Sequence, residues 1–167
     1  MTRQFPLPRA KPVVAMLCGL PGAGKTVLAR RLENEMAAIR LSVDEWMIRL
    51  YGHHMPRELL HERLRLLKDL LCTVGERAVE LDRSVILDFG FWKRDERLLI
   101  AQRVREAGGE PVLYYLEEPL PVLQERVELR NQDLPANTYE ITPEMLEMFA
   151  SWFEPPGIDE GFRVVRP

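Results

Sequence analysis

Residues 13 to 26 read Val-Val-Ala-Met-Leu-Cys-Gly-Leu-Pro-Gly-Ala-Gly-Lys-Thr. The last eight, Gly19-Leu20-Pro21-Gly22-Ala23-Gly24-Lys25-Thr26, fit the pattern G-x-x-x-x-G-K-[ST] without a mismatch. The apolar run before them suits a central parallel strand buried on both faces. After them Val27, Leu28, Leu32 and Met36 recur at helical spacing. Strand, glycine loop and helix N-terminus in this order form a cradle whose backbone N–H groups and helix dipole attract phosphate. Glycines let the chain turn those N–H groups inward. The segment Gly19–Val27 is therefore expected to bind a nucleoside triphosphate. Lys25 would reach the β- and γ-phosphates, and the Thr26 hydroxyl would bind Mg²⁺. The loop alone leaves open whether the triphosphate is hydrolysed, transferred or sensed.

The chain has 167 residues, enough for one domain with a sizeable core, and is read as a single domain over 1–167. Its net charge of −3 gives no bulk attraction to nucleic acid or to an anionic membrane. Arginines outnumber lysines 19 to 4. Arginine suits a bidentate grip on phosphate, though genome composition explains such a bias equally well. Cys18 and Cys72 lack metal-ligand spacing and read as buried free thiols of a reducing compartment. Residues 1–11 form a polar, proline-spaced N-terminal arm without the apolar stretch of a signal peptide. No run approaches membrane-spanning length, so the expected location is the cytoplasm.

Further along, strand patterns at Ile39–Val43, Ser84–Phe89, Pro111–Leu116 and Phe162–Val165 alternate with helical patterns. The helices are expected from Lys25 to Ala38, from Pro56 through Val79, from Arg94 to Ala107, from Pro119 to Arg130, and from Pro143, with Thr142 as its cap. Such alternation predicts a parallel sheet with right-handed crossovers, whose ligands gather outside the carboxyl ends of the strands. That places Gly19, Asp44, Asp88 and Glu117 at informative positions.

Asp88 closes the apolar run Val85-Ile86-Leu87 and can hold Mg²⁺ beside Thr26. Phe89 and Gly90 follow it, where hydrolytic ATPases often carry a glutamate that positions water, so transfer gains over hydrolysis. Asp44 ends the second strand run, where a carboxylate can take the proton of an attacking hydroxyl. The competing reading makes it the N-cap of a short helix. Glu45 is a weaker candidate for the same base. Arg126 and Arg130 share a helix face and lead into the polar stretch 131–142, which suits a lid closing over phosphate. The alternative is a solvated helix in which Glu125 and Glu128 pair with these arginines. Lys93 and Arg94 are lesser phosphate candidates. Pro155, in Phe153-Glu154-Pro155-Pro156, is a candidate wall for the nucleobase.

With these residues placed, the chain resembles the small P-loop kinases. These include adenylate and shikimate kinases, chloramphenicol phosphotransferase, the kinase domain of polynucleotide kinase, and the zeta toxins. It is most similar to compact bacterial proteins of the AAA-family ATPase or zeta-toxin-like kind. The resemblance implies an α/β, three-layer P-loop NTPase with a five-stranded parallel sheet of order 2-3-1-4-5 and a helical lid over about residues 126–142. In the chloramphenicol, polynucleotide and zeta members an aspartate at the second strand end is the general base, and Asp44 matches that place. Leu87-Asp88-Phe89-Gly90-Phe91 is similar to the Leu-Asp-Gly-Phe-Pro-Arg element of nucleotide kinases. Phe89 replaces its glycine and no Pro-Arg follows, which weakens a nucleoside monophosphate as acceptor. The expectation is ATP- and Mg²⁺-dependent transfer to a hydroxyl-bearing small molecule. The alternatives are a kinase of polynucleotide 5′ ends, which the acidic balance disfavours, and a nucleotide switch without transfer.

Overall fold

The computed structural model describes residues 10–167. The expected N-terminal arm, residues 1–11, thus lies outside the described residues except for Ala10 and Lys11. The strands are β1 (Val13–Cys18), β2 (Ile39–Ser42), β3 (Val85–Gly90), β4 (Glu110–Tyr115) and β5 (Arg163–Val165). The helices are α1 (Lys25–Met36), α2 (Val43–Tyr51), α3 (Arg57–Glu80), α4 (Arg94–Glu106), α5 (Leu120–Gln132) and α6 (Pro143–Trp152). All strand pairs are parallel, in the order β2-β3-β1-β4-β5. This is the order that the family resemblance implied.

Alternation along the strands sorts the core into two faces. Val14, Met16 and Cys18 of β1, with Val85 and Leu87 of β3, pack under Leu67, Leu71 and Val79 of α3 and Ile100 and Val104 of α4. Ala15, Leu17 and Ile86 point the other way, onto Leu28, Ala29 and Leu32 of α1. Leu123 and Val127 of α5 join Leu146 of α6 and Ala23 in a separate cluster over the glycine loop. The two cysteines are buried free thiols, as expected, and burial pushes both up to about 12.

Most boundaries shift by a residue or two from the sequence reading, and three of the shifts bear on the site. β2 stops at Ser42, and α2 begins at Val43. Asp44 therefore sits in the first turn of a helix rather than at its cap; the cap position belongs to Ser42. β3 runs one residue beyond the expected Phe89, to Gly90, with a register shift against β1: Met16 pairs with Leu87, but Cys18 pairs with Gly90. The extra residue bends the strand as a bulge does. α5 runs to Gln132, which shortens the predicted loop at 131–142.

The C-terminal segment is locked to the sheet by an interaction that spacing did not reveal. Arg97 of α4 is fully buried and binds Glu160 bidentately, Nε and Nη2 each donating at 2.7 Å. Its Nη1 donates to the carbonyls of Phe91 at 3.1 Å and Glu154 at 2.8 Å. Gly157 N–H donates to Glu160 as well. Burial opposes the charge on both partners, and their mutual hydrogen bonds outweigh it: Arg97 is held above its ordinary value and Glu160 below. Removing one member of such a pair typically costs about 3–5 kcal/mol, because the other charge stays buried alone. Glu160→Gln, which preserves shape, is expected to lower the unfolding free energy by about that amount in urea titration. A loss below about 1 kcal/mol would show that the pair does not anchor the segment.

Candidate active site

The loop between β1 and α1 has the backbone that the motif predicts. Gly22 and Gly24 have φ of 85° and 91°, which side-chain-bearing residues rarely adopt. A Cβ at Gly22 would also lie 3.1 Å from the Leu123 carbonyl oxygen and from Val127. The loop is closed by Ala23 N–H donating to the Leu20 carbonyl, and Lys25 Nζ donates to that same oxygen at 2.8 Å. Gly19 N–H donates to the Gly90 carbonyl at 3.1 Å, tying the loop to the end of β3.

The sheet then delivers the acids. Asp88 shares a sheet face with Ile86, the face covered by α1, and so meets the first turn of that helix. Thr26 Oγ1 donates to Asp88 Oδ2 at 3.1 Å. Ser42 and Asp88 are register partners across β2 and β3, so Asp44, two residues on, emerges beside Asp88 at the same sheet edge. Glu45, the alternative base, is occupied: Arg40 grips both its oxygens at 3.0 Å.

Charges in this cleft act on one another. Desolvation within the cleft raises the carboxyls of Asp44, itself exposed at the cleft mouth, and of buried Asp88 above the usual carboxylate range; Asp88 adds to the rise at Asp44, and Lys25 opposes it at both. Burial lowers Lys25, against the pull of Asp88 and Asp44. Burial also lowers Arg130, which Asp44 partly offsets. Lys25, Asp44, Asp88 and Arg130 thus share one field. Among the described residues no ion pair closes on Asp44, which stays open to water within the cleft.

The two arginines of α5 part company. Arg126 pairs with Glu118 at 3.0 Å, not with Glu125 or Glu128, and reaches toward the Gly22 carbonyl at 3.4 Å. Arg130 donates through Nη2 to the Tyr139 carbonyl at 3.3 Å, while its buried Nε has no partner. Neighbouring Asn131 donates to the Ile141 carbonyl at 2.8 Å. The end of α5 therefore holds the strap 133–142 against itself.

Lys93 and Arg94, the lesser phosphate candidates, are engaged elsewhere. Lys93 binds Glu154 at 2.9 Å, and Arg94 binds Asp159 bidentately at 3.0 Å. Both reach into the segment that carries Pro155, which is itself exposed. Trp92, which sequence reasoning overlooked, links that segment to the glycine loop. Its carbonyl accepts from Glu154 N–H at 2.9 Å, and its Nε1 donates to the Gly19 carbonyl at 3.0 Å. Its ring packs on Phe149 of α6, with centroids 4.9 Å apart. Phe153 stacks on Tyr115 instead of lining a pocket.

The residues present fit a nucleotide with its magnesium. The cradle leaves no free room for a Cβ at Gly19 or Gly22, an ammonium stands at its mouth, and the Thr26 hydroxyl meets an Asp88 carboxylate oxygen. Among the described residues no cluster of three His, Cys, Asp or Glu side chains suits a protein-only metal site.

Comparison with solved structures gives the same architecture. A candidate kinase of Chloroflexus aurantiacus is 21% identical, with 94% of this chain and 88% of that chain covered at a TM-score of 0.75. Kti12 of Chaetomium thermophilum, solved with ADP-AlF3, is 18% identical over 92% and 88% at 0.69. A gluconokinase of Sinorhizobium meliloti is 16% identical over 95% and 84% at 0.63. At these identities the likeness speaks for the fold, that of P-loop kinases. No curated protein matches the sequence significantly. The model of the AAA domain family matches residues 14–156, from the second residue of β1 to the Pro155-Pro156 segment, and the chain belongs to that family.

Proposed function

We propose that the protein is an ATP-dependent phosphotransferase that moves the γ-phosphate to a hydroxyl of a small molecule, with Asp44 as general base. The observation that carries this reading is the position of Asp44. It stands beside the Thr26–Asp88 pair and within the field of Lys25 and Arg130, and among the described residues no ion pair holds it, while Glu45 is fully engaged. The buried Phe89 and Gly90 after Asp88 leave no glutamate there to position a water, which favours transfer over hydrolysis.

The chemistry follows from these placements. The loop Gly19–Val27 holds the phosphates by its N–H groups, and Lys25 exchanges the Leu20 carbonyl for phosphate oxygens. Thr26 and Asp88 would hold Mg²⁺, which when bound neutralises charge on the phosphate oxygens. Asp44 takes the proton of the acceptor hydroxyl, whose oxygen forms a bond to the γ-phosphorus as the bond to the β-phosphate bridging oxygen breaks, leaving ADP. The free Nε of Arg130 meets charge on the transferring group, and Arg126 flanks the loop at Gly22. The end of α5 and the strap, residues 126–142, act as the lid of a single domain. Pro155, carried by the segment that Trp92 ties to Gly19, borders the nucleobase. No described helix is long and apolar enough to cross a membrane. The free thiols suit a reducing cytoplasm.

Lys25→Ala is expected to abolish both ATP binding and transfer. Asp44→Asn should keep the ATP Kd within a few-fold yet lower kcat by about 10²–10⁴, the usual worth of a positioned base. The wild-type rate should fall as pH drops through the raised Asp44 pKa, above the usual aspartate range, and Asp44→Asn should lose that limb. Full transfer by Asp44→Asn, read with labelled ATP, would overturn the base assignment.

A second expectation concerns stability of the free protein. The folded-state pKa of Asp44 lies above its unfolded value, so the folded state holds the extra proton between the two. Stability falls as pH rises through that window and levels off above it. Asp44→Asn removes this loss. Its melting temperature should exceed that of the wild type at neutral pH, and the gap should close at acidic pH, in scans between pH 3 and about 8. A pH-independent gap would refute the raised pKa.

A further inference from the structure

A carboxylate–ammonium contact that the reaction above does not use stands at the same sheet edge. α3 enters β3 through the short turn 81–84, so it runs back along that strand, and its N-terminal half projects past the carboxyl ends. Lys68 lies 12 residues before the helix end at Glu80, about 18 Å of helix, against about 20 Å for the six residues of β3. Lys68 is therefore level with the end of β3. α4 starts four residues after β3, and Glu96 lies in its first turn. Lys68 Nζ donates to Glu96 Oε1 at 2.6 Å. The charge of Lys68 acts on Asp44, and that of Glu96 acts on Cys18 at the end of β1. α3 and α4 cover the sheet face opposite α1. Asp44 thus feels Lys25 from the phosphate side of the sheet and Lys68 from the other.

Joining the two helices does not require this pair. Arg103 of α4 already binds Asp69, Thr73 and Glu76 of α3. Both side chains of the pair also stay accessible, 25% for Lys68 and 27% for Glu96. The contact uses one ammonium proton and one carboxylate oxygen, and among the described residues no other hydrogen bond engages either side chain. An ammonium and a carboxylate side by side present donors and acceptors together. A hydroxyl uses both at once: it donates its proton to the carboxylate while its oxygen accepts from the ammonium. A phosphate or carboxylate placed there gains from Lys68 but is repelled by Glu96, and a cation meets the reverse. One and two turns before Lys68, Leu64 and Leu60 are half-buried against the core cluster that holds Phe89. They offer an apolar flank to the carbon skeleton of the same ligand.

We propose that Lys68 and Glu96 form an acceptor subsite and that the acceptor is a polyol, with one hydroxyl at Asp44 and another held by the Lys68–Glu96 pair. The inference rests on the phosphotransferase reading above and names its substrate class. The transfer is unchanged: the first hydroxyl oxygen bonds to the γ-phosphorus, its proton goes to Asp44, and ADP leaves. The second hydroxyl is held and not altered. Lys68 and Glu96 orient the acceptor and take no proton from the attacking oxygen.

The test uses the full chain, labelled ATP and polyols matched with ring analogues that keep a single hydroxyl: glucose against hydroxymethyltetrahydropyran, inositol against cyclohexanol, and adenosine against its dideoxy analogue. At least one polyol should be phosphorylated with a kcat/KM at least about tenfold above that of its partner. Lys68→Met and Glu96→Gln should each raise the KM for that polyol about tenfold, the worth of a hydrogen bond to a charged group, with the ATP Kd unchanged. On the single-hydroxyl partner the same substitutions should move KM less than about twofold, a difference that loss of a merely structural pair would not produce. Single-hydroxyl members used as well as the polyols, equal KM changes on both members of a pair, or an unchanged polyol KM in both variants would overturn the inference and leave the phosphotransferase standing. Lys25-dependent ATP binding with no transfer to any member would overturn both.

Discussion

Arg97 carries a guanidinium into the interior, where leaving it unpaired would outweigh much of the roughly 5–15 kcal/mol that holds a domain together. Its fork geometry resolves this by meeting both oxygens of Glu160, while the remaining nitrogen binds two backbone carbonyls. The four contacts join elements far apart in sequence: the start of α4, the residue after β3, and the segment before β5. Alternation and helical period carry no sign of such a pair. Yet the geometry on the carboxyl edge of the sheet depends on it.

One of the two carbonyls belongs to Phe91, whose φ of 47° is unfavourable for a bulky side chain. Strained backbone persists where its surroundings over-determine it. Here the Phe91 ring is buried, and its carbonyl accepts from both Arg97 and the Cys18 thiol. That turn reverses the chain directly after β3, so that Trp92 can reach Gly19 and receive Glu154. The strain, the buried pair and the glycine loop form one connected structure. Its effect is to fix the end of β3, and with it Asp88, against Thr26.

Legibility in the sequence followed the range of the interactions. The loop Gly19–Thr26 was readable because its requirement is local: consecutive residues must turn N–H groups onto one point. The strands were readable because burial on both faces leaves an apolar run, and their order came with the family resemblance. Asp44 and Asp88 stood out because chain order placed them at strand ends. The exact setting did not: the register shift after Met16 and the early start of α2 depend on neighbours across the sheet. Arg126, Lys93 and Arg94 illustrate the same limit. Their partners Glu118, Glu154 and Asp159 lie 8, 61 and 65 residues away, so no spacing rule connects them. Trp92 escaped notice because a lone tryptophan after a strand reads as core.

The cleft itself is arranged against its own comfort. Desolvation in the cleft raises two carboxyls, lowers a lysine and lowers an arginine, all at one sheet edge, and a phenol beside them lacks a partner. A packed apolar cluster there would be more stable, and stability is therefore supplied elsewhere, by the two-faced core and the Arg97–Glu160 pair. The direction of each perturbation suits incoming charge and protons. A partly desolvated ammonium and guanidinium gain from phosphate oxygens, and a raised carboxyl is a better proton acceptor than an ordinary aspartate. Triphosphate would also satisfy Lys25 and Arg130, weakening the pull that they exert on Asp44 in the free protein.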